Sequence, residues 1–149
     1  MKRRLLFEGR NYRNNKVIDE GLQHLRRLTD LKRLDLRNTS ITGVGLQHLS
    51  AMTKLGGLSL SYTQITDEGL QHLPDLKNLG HLSLDGTQVT DEGLQHLRRL
   101  TDLRQLFLAN TQITDDGLQH LSHMTNLTSV LLGSCKQRSE NVAPGGRIT

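Results

Sequence analysis

The pentapeptide Gly-Leu-Gln-His-Leu begins at residues 21, 45, 69, 93 and 117, always 24 residues apart with no insertion or deletion. A fixed period of that length is the mark of stacked supersecondary units and outranks any local propensity. One unit of 24 residues cannot bury two apolar faces by itself, so each copy must bury its leucines against its neighbours. Composition agrees. Leucine supplies 30 of the 149 residues, Trp is absent, and Phe and Tyr number two each, so one residue type fills one recurrent kind of site.

One period starting at Leu55 sets Leu55, Leu58, Leu60, Thr63, Ile65, Leu70, Leu73 and Leu76 at fixed places, and the same frame fits 31–54, 79–102 and 103–126. Leu58 and Leu60 are two apart and share one side of a strand, with Ser59 and Ser61 on the other. Thr66-Asp67-Glu68 then offers an N-cap hydroxyl and two carboxylates suited to the positive end of a short helix. Leu70 and Leu73, three apart, lie on one face of that helix. Each period is therefore a strand, a turn, a short helix and a return. Stacking sets Leu58 over Leu34 and under Leu82, with parallel strands about 4.8 Å apart. The bulkier helical side curves the stack and leaves the sheet concave. Glycine at 45, 69, 93 and 117 costs roughly 1 kcal/mol relative to alanine inside a helix, and close packing of adjacent coils is the expected reason.

The pattern Leu-x-x-Leu-x-Leu-x-x-Thr-x-Ile-Thr-Asp-x-Gly-Leu-x-x-Leu resembles the leucine-rich repeat family over roughly residues 7 to 135. Its Ile-Thr-Asp-x-Gly-Leu stretch is similar to the cysteine-containing subclass of F-box-associated substrate-recognition arms and to short bacterial repeats. The resemblance implies an α/β fold: a right-handed, curved solenoid with a parallel sheet on the concave face and short helices on the convex face. It also implies a non-catalytic protein-binding scaffold, without specifying a ligand. Where many members carry a buried Asn or Cys ladder, this chain has Asn15, Thr39, Thr63, Thr87, Thr111 and Cys135. The threonine hydroxyls are expected to donate to the neighbouring coil's backbone.

The ends depart from the frame. Residues 1–30 form a degenerate first repeat with Phe7, Arg10, Tyr12, Asn15 and Val17 at core-type places. Residues 31–126 are regular, and 127–135 form a final partial repeat within a 1–135 repeat domain. Residues 136–149 are a polar, Gly-rich tail expected to be partly disordered. The C-terminal end has no evident cover, which suggests self-association there unless Val142 and Ile148 fold back or the chain continues a longer array.

Several function classes lose support. No apolar run nears the roughly 18 residues that span a bilayer, and the apolar stretch after Lys2-Arg3-Arg4 is far short of a signal peptide's 7–15 or so. The single cysteine precludes an internal disulfide framework and fits a reducing compartment. A cytoplasmic location is expected, with non-classical secretion open. The net charge of +4 is a modest excess that permits an anionic partner without demanding one. Nucleic acid is disfavoured, because aromatic residues are not interleaved with the basic ones.

The outward columns of the strands carry the candidate binding residues: Arg13, then Arg33, Asp35 and Arg37, then Tyr62, His81 and Asp85, then Gln105, Phe107 and Leu131. Phe107 and Leu131 adjoin in one column and could anchor a protein partner. The arginines could grip an acidic segment, or form a solvated salt-bridge cluster with Asp35. His24, His48, His72, His96 and His120 form a column, but one imidazole per coil cannot converge on a metal ion at about 2.0–2.1 Å. No catalytic residue, metal or cofactor is expected, since the recurring Asp and His positions are structural copies rather than a unique constellation.

Overall fold

The computed structural model describes residues 9–13 and 16–133. Six three-residue strands form one parallel sheet in sequence order: β1 (Gly9–Asn11), β2 (Arg33–Asp35), β3 (Gly57–Ser59), β4 (His81–Ser83), β5 (Gln105–Phe107) and β6 (Ser129–Leu131). Between them lie single α-turns: α1 (Asp19–Leu22), α2 (Gly43–Leu46), α3 (Asp67–Leu70), α4 (Asp91–Leu94) and α5 (Asp115–Leu118). The register advances by one repeat per strand, so Leu34, Leu58, Leu82, Leu106 and Val130 stand in one line. This is the predicted strand, turn, short helix and return.

The strands stop after three residues because the chain must turn back to the helical side. In the turn, Asn38, Tyr62, Gly86 and Asn110 occupy one equivalent position, and all take φ near +60. Asn and Gly tolerate that left-handed conformation, whereas Tyr62 holds it at a cost of roughly 1–2 kcal/mol. The helical side is equally compact. After α1, α2, α4 and α5 the chain tightens into 3-10 turns at Gln23–Leu25, Gln47–Leu49, Gln95–Arg99 and Gln119–Leu121. After α3 it does not. Pro74 stands there where other coils have Arg26 or Ser122, whose amides donate to Gln23 and Gln119, and proline has no N–H to give.

The strand leucines, Ile41, Ile65, Val89 and Ile113, and the helical leucines form one continuous buried cluster from Leu22 to Met124. Each fully buried Leu is worth about 1.5–3 kcal/mol. The degenerate first coil joins it: Arg10 pairs in register with Leu34, and Tyr12 and Val17 pack partly buried against the cluster. Phe7, Asn15, Cys135 and the 136–149 tail lie outside the described residues.

Two polar ladders differ from their sequence-based expectations. The hydroxyls of Thr39, Thr63, Thr87 and Thr111 donate to carbonyls of their own coil, those of Leu36, Leu60, Leu84 and Leu108, at 2.5–2.7 Å. They close the turn at the strand end rather than joining coils, because that carbonyl is only three residues back. The joining is done by aspartate. Asp67 accepts from the Thr90 amide at 2.8 Å and from its hydroxyl at 2.6 Å, and Asp19 and Asp91 bracket Thr42 and Thr114 in the same way. Thr66, Thr90 and Thr114 make no side-chain cap to their own helix, and among these threonines only Thr42 accepts from an amide of its own helix, that of Val44 at 3.3 Å.

The recurrent glycine now has its cause. A Cβ on Gly45, Gly93 or Gly117 would fall on the carboxylate of Asp19, Asp67 or Asp91 from the preceding coil. Gly21 has no such neighbour; the nearest atom to its virtual Cβ is Val17 Cγ1 at 3.6 Å. In the second coil the aspartate position holds Gly43, and the α2 and α3 backbones close in until a Cβ on Gly69 would stand 2.6 Å from Gly43 Cα.

Candidate functional site: the sheet face

Three columns of side chains cover the outer face of the sheet. The first runs Arg33, Gly57, His81, Gln105 and Ser129, and the second Asp35, Ser59, Ser83, Phe107 and Leu131. The third follows the strand ends at Arg37, Ser61, Asp85 and Ala109. Strand alternation alone aims them outward, and their chemistry divides the face into three zones.

At the N-terminal side Arg37 and Asp35 form a two-pronged pair. Nε donates to Oδ1 at 2.9 Å and an Nη to Oδ2 at 2.6 Å, while the Arg37 amide also reaches Oδ1 at 3.2 Å. The guanidinium beside it holds the Asp35 carboxyl below its ordinary range, with a smaller pull from Arg13, and the same pair raises Arg37 further. Arg13 is exposed in the turn after β1. Arg33 is exposed too, its stem lying 3.5 Å from where a Cβ on Gly57 would be.

The middle zone is polar and self-satisfied. Asp85 Oδ1 accepts from the Ala109 amide at 2.8 Å, and Oδ2 accepts from Ser83 at 3.1 Å and Ser61 at 3.4 Å. The Ser61 and Ser83 hydroxyls are 2.5 Å apart, and both residues are buried although they sit on the outward side. With Gly57 and Ser59, they make a low floor of small side chains. Strand alternation alone predicts Ser61 as an outward, exposed serine. The signal it lacked was the Asp85 carboxylate, which draws both hydroxyls down.

The third zone is apolar. His81 and Phe107 stack tilted, with ring centroids 4.9 Å apart, and His81 Nδ1 lies 3.0 Å from Gln105 Oε1. Phe107 is thus half-buried under a neighbour, and Leu131 beside it is 53% exposed. Tyr62 stands at the rim, 55% exposed, its ring over Gly86, where a Cβ would meet Cδ1 at 2.5 Å. The structure therefore brings His81, Gln105, Phe107 and Leu131 into one cluster, pairs Asp35 with Arg37 with Arg13 near enough to act on that carboxylate, ties Asp85 into the floor, and leaves Arg33 and Tyr62 exposed.

Elsewhere, Ile18 and Val44 are exposed apolar residues near the starts of α1 and α2, where Val44 stands in place of Glu20, Glu68, Glu92 and Asp116 of the other coils. Among the described residues, no three His, Cys, Asp or Glu side chains converge as a metal site. No helix among them is long and apolar enough to cross a membrane.

A parallel ribbon of three-residue strands, one per 24-residue coil and backed by single helical turns over a leucine spine, defines a leucine-rich repeat solenoid. A family model described as Leucine Rich repeat matches residues 27–50, 52–73 and 76–97. Among solved structures the chain is similar to an internalin from Listeria monocytogenes, at 27% identity and a TM-score of 0.68. The match covers 78% of this chain and 33% of that one, so the chain spans about a third of the internalin's length. No curated protein matches it.

Proposed function

We propose that this chain is a non-catalytic protein-binding scaffold that docks its partner on the sheet face and adjoining rims, anchored at Phe107 and Leu131. The carrying observation is the contrast between zones. Asp35, Arg37, Asp85, Ser61 and Ser83 spend their hydrogen bonds on one another, whereas Phe107 and the half-exposed Leu131 present apolar surface on a face that is otherwise polar. Aromatic and aliphatic anchors beside satisfied polar groups are what binding hot spots use. The repeat fold and its likeness to an internalin support an interaction role in general.

The test compares wild type with Phe107→Ser as affinity baits, after circular dichroism has shown equal folding. Loss of the bound partner from the variant is expected, and identical capture by both would overturn the reading. A second reading, self-association through the C-terminal end, draws on Val130 and Leu132, which remain only partly buried against the core. A light-scattering dilution series that shows monomer throughout removes it. A weaker reading, binding of an anionic partner through the N-terminal half that carries Arg13, Arg33 and Arg37, loses support because Arg37 is already committed to Asp35.

A further inference from the structure

Resting on the reading of the sheet face as a docking surface, we infer that its occupant is an extended polypeptide segment crossing the strands, with a carboxylate side chain four residues from a bulky apolar one. The face offers two unmet demands and a passive stretch between them. Arg37 is held by Asp35 on both prongs, but the Arg33 guanidinium, exposed on β2, has neither a hydrogen bond nor an ion pair among the described residues. A guanidinium is best satisfied by a planar carboxylate that takes two of its hydrogens. The other demand is the His81, Phe107 and Leu131 cluster on β4, β5 and β6. An unpaired cation at one end and an apolar anchor at the other select a ligand with the complementary polarity.

The spacing follows from the register. From β2 to β5 is three strand separations, about 14 Å at 4.8 Å each. An extended chain covers that in about four residues at 3.3–3.6 Å per residue. Four is an even number, so both side chains emerge on the same side of the segment and both meet the sheet. The side chain midway between them also faces the sheet, and it would lie over Gly57, Ser59 and Ser83, where no bulk rises to exclude it. Floor groups bonded among themselves, Asp85 with Ser61 and Ser83, offer that middle residue no strong preference. The acid and the apolar residue therefore carry the selectivity.

The test pans a random peptide library displayed on phage against the immobilised full chain. Enriched sequences are expected to share an acidic residue four positions from Leu, Ile, Phe, Trp or Met. A synthetic peptide of that pattern should bind Arg33→Glu about tenfold more weakly, the loss expected for one charge-assisted bond, and replacing its acid with Arg should recover binding to Arg33→Glu. Leu131→Ser, at an exposed position that cannot compromise the core, should weaken the same peptide. If enriched peptides depend on Phe107 and Leu131 but ignore Arg33, the polarity inferred here is wrong while the docking face stands. If no sequence is enriched, or none responds to either end, both fall. Acid-rich peptides with no apolar member would mark general charge attraction and also overturn the inference.

Discussion

Asp35 and Asp85 are both carboxylates on the sheet face, yet one is taken up within its own coil and the other also bonds to neighbouring coils. Asp85 accepts from Ala109 N–H one coil away, which stitches the third column, while Asp35 holds Arg37. Because Arg37 depresses the Asp35 carboxyl below its ordinary value of 3.8, the pair stabilises the fold in full above the unfolded value and loses that contribution as pH falls through the depressed one. For a partly solvated pair the effect is about 0.5–1 kcal/mol. Urea unfolding should place Asp35→Asn below wild type by that amount at neutral pH, with the gap closing as the solution is acidified below 3.8; a gap independent of pH would contradict the assignment. At this scale the alternation of Leu34 and Leu36 told which strand residues face out. It could not tell that Arg37 and not Arg33 takes the aspartate, since both flank it at two residues' distance and only side-chain reach decides. Nor did it show Tyr62 in a left-handed turn, a conformation that the equivalent Asn38 and Asn110 would have hinted at.

Among the elements, the single-turn helices are held less by their own capping than by the coil before them. One carboxylate takes two hydrogen bonds from the next coil's threonine, and the glycine three residues after that threonine clears the space for it. Alanine at these positions thus meets opposing effects: it favours the helix by roughly 1 kcal/mol, but a misplaced methyl in a filled site costs about 1–3 kcal/mol. Gly93→Ala, whose methyl would displace Asp67, should lower the thermal midpoint. Gly21→Ala, with only ordinary contact to Val17, should leave it unchanged or raise it. Equal behaviour of the two variants in thermal unfolding would show that coil packing is not the cause. The period predicted these helices and the need for close approach at glycine. It misassigned the threonine, because Thr-Asp-Glu before a helix satisfies the local capping rule. The true partner sits 23 residues earlier and belongs to another copy of the motif.

For the whole molecule, the stack of coils was legible because a single repeated residue pattern dictates one neighbour relation many times over. Among the described residues the face has six strands, or about 29 Å across at 4.8 Å per strand, so a partner held on these strands alone relies on a few anchors. Which anchors these are was only partly legible. Phe107 and Leu131 stand out in the chain as departures from a polar column, but the cover that His81 gives Phe107 comes from a diagonal contact between strands.

Among the described residues the regular stitching lapses once. Between the second and third coils Gly43 replaces the aspartate, and Thr66 has no carboxylate opposite it, although the backbones there approach closely. In a linear array each junction carries its own share of cooperativity, so this one is the natural fault line along which the molecule would part in two. Native-state amide exchange should then show a step in protection there, with the segment before Gly43 opening as a unit while the coils from Asp67 onward stay closed. Uniform protection across the junction would mean that the tight glycine contact compensates in full for the lost bracket.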